Sequence, residues 1–139
     1  MISREDLESF LIRMDLDWDE LEEGMFLVRG AGGGAPLVVH HSPPLLILRM
    51  KVIELPDNGG DHTELYRTLL ELNASDVVHG AYGIEEGELI LSDTLQLETL
   101  DFEELQASSE SLQIAASGHI DQIRQLVGAG VASGSGEEG

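Results

Sequence analysis

Apolar residues recur along this chain in two rhythms, one helical and one alternating. Leu7, Phe10, Leu11 and Met14 fall at the i, i+3, i+4, i+7 spacing of a half-buried helix. Ser3 is placed to cap it with Asp6 three residues on, and Ile2 to staple onto Leu7. The period then drops to two. "MFLVRG" predicts a short strand, "LVVHH" a second, and "LLILRMKVIEL", after Pro43-Pro44, the strongest strand of the chain. Helical spacing returns at Leu65, Leu69 and Leu72, opened by an Asp61–Glu64 capping box and ended by Asn73 in the left-handed conformation. "VVHGAYGI" and "ELILSDTLQL" read as the fourth and fifth strands, joined at Glu85-Glu86-Gly87, where Gly87 takes a positive φ without steric cost. Asp101 and Glu104 then cap a last helix, with Leu100 packing on Leu105. Its stripe of Leu105, Leu112, Ala116, His119, Ile123 and Leu126 carries it to about Val127.

The remaining segments read as connections. "DLDWDELEEG" is an acidic, solvated connector from which Leu16 and Trp18 dock on the core. "AGGGAP" is a flexible hairpin loop, and "PDNGG" ends the long strand. The order α-β-β-β-α-β-β-α, with short connections, predicts an α+β fold: an antiparallel twisted sheet with helices mainly on one face. One domain spans residues 1–127, and the Gly/Ser-rich residues 128–139 form a disordered tail.

Strand alternation assigns the two sheet faces. Leu46, Leu48, Met50 and Val52 turn towards the helices, as do Leu89, Leu91, Leu95 and Leu97. Asp93 would share that face, so "SDT" is read as an outward-facing stretch around a bulge. On the second face stand Leu45, Ile47, Arg49, Lys51 and Ile53, apolar mixed with basic. An apolar patch left bare there is the expected partner or dimer surface, since one two-fold patch serves both subunits.

Charge removes several partners. The 139 residues hold 7 Lys+Arg against 27 Asp+Glu, a formal net charge of −20. That field repels a phosphate backbone and an anionic membrane surface. No cysteine is present, so disulfides, thiol catalysis and Cys-based zinc sites are out. No apolar run approaches the ~20 residues of a membrane span, and no signal-peptide pattern opens the chain. A cytoplasmic protein is expected.

Several stretches invite a chemical reading and fail on their spacing. Asp15, Asp17 and Asp19 alternate as in calcium loops, but Glu20 and Phe26 stand where an EF-hand needs Gly and a bidentate Glu. The glycines of "GAGGGAP" are followed by Pro36 and a strand, whereas phosphate loops open a helix. The histidines (His40, His41, His62, His79 and His119) lack a ligand spacing, and His40 and His41 point to opposite faces. Ser92 and Asp93 lack the Gly-x-Ser-x-Gly elbow of a hydrolase. No catalytic, cofactor or metal residue is assigned. The rival to a binding module is a small-molecule or metal-sensing domain, or a minor enzyme, with a pocket near His41, His79 and Tyr82.

With the element order in place, further stretches carry a likeness. These are "LLELNA" (Leu69 to Ala74), "GAYGI" (Gly80 to Ile84), "EGELILSDTLQLETLD" (Glu86 to Asp101) and "LQASSESL" (Leu105 to Leu112). Through them the chain resembles the type III secretion chaperone-like superfamily, in its YbjN-type and CesT/Tir-chaperone-like bacterial branch. The resemblance covers roughly residues 3 to 127; the Gly30 to Gly34 loop and the tail lie outside it. It implies a small, acidic, non-enzymatic protein, commonly a homodimer, that binds another protein chain.

Overall fold

A computed structural model describes residues 1–30, 34–56 and 60–136, with side chains placed through residue 131. The centres of the Gly-rich loop (31–33) and of the Pro-Asp-Asn-Gly-Gly turn (57–59), and residues 137–139 of the expected tail, lie outside the described residues. The element order is α1 (Arg4–Arg13), β1 (Asp17–Glu22), β2 (Met25–Arg29), β3 (Leu37–Ser42), β4 (Leu45–Glu54), α2 (Thr63–Ser75), β5 (Ala81–Glu85), β6 (Glu88–Gln96) and α3 (Phe102–Gly136). All pairings in the six-stranded sheet are antiparallel, in the order β1-β2-β3-β4-β6-β5. The α+β class stands, with an antiparallel sheet and its helices on one side.

The core is the space between that sheet and the helices. From the sheet come Phe26, Val28, Val39, Leu46, Leu48, Met50, Leu89 and Leu91, all buried. Leu7 and Leu11 of α1, Leu65 and Leu69 of α2, and Leu105, Leu112 and Ile123 of α3 meet them. The β5–β6 hairpin turns within the expected Glu85-Glu86-Gly87 stretch, on two residues: Glu85 pairs with Glu88, and both Glu86 (φ 51°) and Gly87 (φ 77°) are left-handed, as a type I′ turn requires. Leu89, Leu91 and Leu97 are fully buried and Leu95 is half-buried, so this register is the expected one.

The helix starts hold in different ways. At α1 the Ser3–Asp6 capping box is complete. At α3 the Asp101 carboxylate accepts from the Glu104 amide at 2.7 Å. At α2 the cap position is His62; Asp61 accepts from the Thr63 amide at 3.0 Å, a turn just outside the helix rather than a capping box. Asn73 does not end α2, which continues to Ser75, because its side chain is engaged elsewhere.

Four readings are corrected by tertiary context. The acidic connector is in part strand β1, an extra strand at the sheet edge, where charged residues are tolerated because one side stays in water. Its alternation is masked by acid: Trp18 and Glu20 turn inward while Asp17 and Asp19 face Arg29. Trp18 stacks edge-on against Phe26, centroids 5.5 Å apart. The expected tail is helical from 128 to 136, continuous with α3. Gly130 there packs so closely on Asp61 and His62 that a Cβ would collide, and its carbonyl accepts from the Asp61 amide at 3.2 Å. The bulge lies in β4, between Lys51 and Ile53, and not at Ser92–Thr94. Asp93 therefore keeps the helix-side face opposite Leu48, where burial is only partial and its carboxylate accepts from the Thr94 amide at 2.9 Å.

α1 is tied to the far end of the sheet by polar contacts. The Ile2 amide donates to the Leu97 carbonyl at 3.1 Å, and the Ile2 carbonyl meets His41 Nε2 at 2.9 Å. The Arg4 guanidinium clamps the Glu20 carboxylate and lies over the Phe26 ring. That clamp, with the Gly24 amide, pulls the Glu20 carboxyl from 4.5 down to about 2. A depressed carboxyl stabilises the fold above its unfolded value and loses that contribution as pH falls through the folded one. Glu20→Gln should therefore unfold with a shallower pH dependence than the parent between about 4.5 and about 2, followed by circular dichroism in acid titration. Leu91→Ala, which empties a fully buried site, should cost about 2–5 kcal/mol. Paired urea melts read both variants, and in them Glu86→Ala should shift stability by less than about 0.5 kcal/mol.

Candidate protein-binding surfaces

The second sheet face follows from the register alone. Met25, His40, Ile47 and Thr94 form one cross-strand row; Leu27, Val38, Arg49, Ser92 and Ala81 form the next. No described helix packs over these rows. Met25, Leu27, Val38, Ile47 and Ile90 are half-buried by one another, and Leu45 stands at the margin, 36% exposed. Cations frame this strip: Arg49 pairs with Glu85, Lys51 with Glu88 at 2.6 Å, and Arg29 with Asp19 at 2.6 Å.

Of the residues read from the sequence as a partner surface, Leu45, Ile47, Arg49 and Lys51 share this face. Ile53 does not. The bulge after Lys51 shifts the alternation, so Ile53 pairs with buried Leu89 and packs on the core. Arg49 and Lys51 are already paired with glutamates, which leaves Met25, Leu27, Val38 and Ile47 as the part of the face with unmet demand.

A second apolar surface had no mark in the pattern. Tyr66, Leu70 and Ile84 are exposed, Leu70 at 69%, and they line one shallow groove of about 210 Å³ between α2 and β5. Tyr66 and Leu70 are one helical turn apart, outside the Leu65–Leu69 stripe. The only sequence signal is apolar residues on what helical phase predicts to be the outer side of α2.

Beneath that groove the edge strand is capped at Tyr82. Asn73 accepts from the Tyr82 amide at 2.7 Å and donates to the Tyr82 carbonyl at 3.2 Å, standing in for a neighbouring strand. The Tyr82 hydroxyl reaches His119 Nδ1 at 2.7 Å, and His119 Nε2 reaches Asp76 at 2.5 Å. In this chain of contacts Nδ1 can accept a hydrogen bond from the phenol while Nε2–H donates to the carboxylate. Burial first, and then the Asp76 charge, push the Tyr82 phenol up to about 12, so it remains the donor.

The sensing pocket expected near His41, His79 and Tyr82 is not assembled. His41 on β3 and Tyr82 on β5 are separated by β4 and β6, and His41 is spent on the Ile2 carbonyl. Ser92 and Asp93 point to opposite faces, opposite Arg49 and Leu48 respectively. Among the described residues no three His, Asp or Glu side chains converge as a metal site would require. No described helix is long and apolar enough to cross a membrane.

This sheet, bare on one side, with three helices on the other, matches one sequence family and several solved folds. The sequence model of one family, CesT_Tir_1, matches residues 2–128. The chain belongs to the CesT_Tir_1 family. No curated protein matches it closely enough to count. Among solved structures, the heterodimeric ExoU-SpcU complex from the type III secretion system of Pseudomonas aeruginosa contains a chain 15% identical, with a TM-score of 0.66, over 83% of this chain and 95% of that one. YbjN, a putative transcription regulator from E. coli, is 12% identical with a TM-score of 0.63, over 86% of this chain and 93% of that one. The HopA1-SchA chaperone-effector complex gives 14% and 0.61, over 83% and 90%. The CesT_Tir_1 chain thus has the chaperone-like fold that recurs in type III secretion complexes.

Removing the Asn73 side chain should open the β5 edge selectively. In Asn73→Ala the Tyr82 amide, bonded at present to that side chain, should exchange with deuterium about tenfold faster or more, the equivalent of losing about 1.4 kcal/mol of local protection. Buried β4 amides should keep their rates, read by hydrogen exchange in the same sample.

Proposed function

We propose that this CesT_Tir_1 member is a non-enzymatic, homodimeric protein-binding module that holds a segment of a client protein on its bare sheet face. The observation that carries this reading is the group of half-buried apolar side chains Met25, Ile47, Leu27 and Val38 on two adjacent rows, uncovered by any described helix and framed by ion pairs. Antiparallel sheets accept water on one face when that face is polar; an apolar one calls for a cover. The fold's presence in complexes described as chaperone-effector and as heterodimeric supports a protein as the cover.

The α2–β5 groove suits a second copy. A two-fold interface needs one patch to serve both subunits. Two α2 helices packed antiparallel would set Tyr66 of each against Leu70 of the other, with Ile84 at the flank. Asn73 blocks strand addition at Tyr82, so side-chain packing rather than a continuous sheet is the mode available there. The secretion-chaperone and regulator branches share this architecture, and the client decides between them.

Two variants separate the surfaces. In sedimentation at tens of micromolar the parent should be a dimer, Leu70→Arg a monomer, and Ile47→Arg still a dimer. Capture of a client from native lysate should fail for Ile47→Arg. A monomeric parent would count against the dimer, and undiminished capture by Ile47→Arg against the sheet face.

A further inference from the structure

A third surface, distinct from both of these, lies where the loop after α2 crosses α3. A pocket of about 340 Å³ opens there, lined by Asp76, Val78, Ile114, Gly118 and His119. Val78 and Ile114 are the two most exposed large apolar side chains among the described residues, at 81% and 71%. At its floor is a built polar group: His119, buried to all but 7%, holds one oxygen of Asp76 and is itself held by the Tyr82 hydroxyl. The rest of that carboxylate is open, its side chain 61% exposed.

From this arrangement we infer that the pocket seats a basic side chain of a protein partner. The long stem of a lysine or arginine lies along apolar surface while its charged head reaches a polar group. Val78 and Ile114 supply the first and Asp76 the second. The chain has little of its own to satisfy that carboxylate. Among the described residues Asp76 pairs with no Lys or Arg. Arg4, Arg29, Arg49, Lys51 and Arg67 are spent on other carboxylates, Arg13 lies over the Phe102 ring, and Arg124 lines a different cavity with Met50 and Val52. With 27 acidic against 7 basic residues, an incoming cation is attracted at long range as well. The His119 tether limits the freedom Asp76 would otherwise lose on binding, which lowers the cost of the contact. Neither the α2–β5 groove nor the bare sheet face includes Val78, Ile114 or His119. The inference rests on the reading of the chain as a protein-binding module and adds to it the chemistry of one contact: an apolar residue beside Arg or Lys.

Two peptides test it, acetyl-Leu-Arg-Leu-amide and acetyl-Leu-Glu-Leu-amide, titrated to millimolar concentration into the full isotope-labelled chain by NMR. The arginine peptide should move the amides of Val78, Ile114 and Gly118, and the glutamate peptide should not. Asp76→Asn, which keeps an acceptor for His119 and removes the charge, should weaken the arginine peptide about three- to tenfold. Equal response to the two peptides, or unchanged affinity in Asp76→Asn, overturns the site. Shifts confined to Ile47 and Thr94 overturn it too, while leaving the sheet-face reading intact. No shift with either peptide also overturns it.

Discussion

One-sided burial governs this molecule. Three helices cover a six-stranded sheet from one side, and the pairing of β4 with β6, its two longest strands, sets which side that is. Leu46, Leu48 and Met50 on β4 lie opposite Leu95, Asp93 and Leu91 on β6, and apart from the half-buried Asp93 that double row is the apolar floor on which α3 rests. Because side chains alternate along a strand, committing this row to the helices commits Ile47, Arg49 and their neighbours to the opposite face. The bare face is thus a consequence of how the core is made. It cannot be buried by a change of register without exposing the core row.

The sheet has two edges, and each is protected in a different way. At β1 the protection is charge: Asp17, Asp19, Glu20 and Glu22 line an exposed strand that also carries a bulge between Glu20 and Glu22. At β5 it is a side chain, Asn73, that satisfies both polar groups of Tyr82. From Tyr82 the same contact set runs through His119 to Asp76, so the end of α2, the edge strand and α3 are bound into one polar cluster at the rim of the core. The surfaces with the strongest unmet apolar demand adjoin this cluster on α2 and α3, and the broad sheet face lies away from it. On the proposed reading, separated surfaces let the module engage another copy and a client at once.

Much of this was legible in the residues. The period of the apolar positions located α1, β2 to β6, α2 and α3, since burial on one face imposes period 3.6 or 2 whatever the fold. The Ser3–Asp6 box, the acceptor half of the Asp101 cap and the turn at Gly87 are local chemistry and were read from the residues. The face carrying Leu45, Ile47, Arg49 and Lys51 was equally a matter of alternation. Other features depend on neighbours distant in sequence. β1 is a strand because β2 is beside it and Trp18 has Phe26 to pack on; its acidic composition alone describes a solvated segment. Residues 128–131 read as tail because glycine has poor helix propensity, yet Gly130 is where α3 comes into contact with Asp61 and His62, and only glycine allows that approach.

The sequence by itself determined eight of the nine element types, the acidic character and most of the face assignments, because these are set by neighbours along the chain. Tertiary structure decided the rest. The β4 bulge, a property of how β4 matches β6, moved Ile53 from the open face to the core. Asn73, a helix terminator by local preference, is instead a cap on the β5 edge, since a backbone without a partner nearby outweighs a turn preference of well under 1 kcal/mol. His119 and Asp76 are 43 residues apart and meet only when α2 and α3 pack. No periodicity records that distance, which is why the cluster they form with Tyr82, and the pocket above it, become visible only in the folded chain.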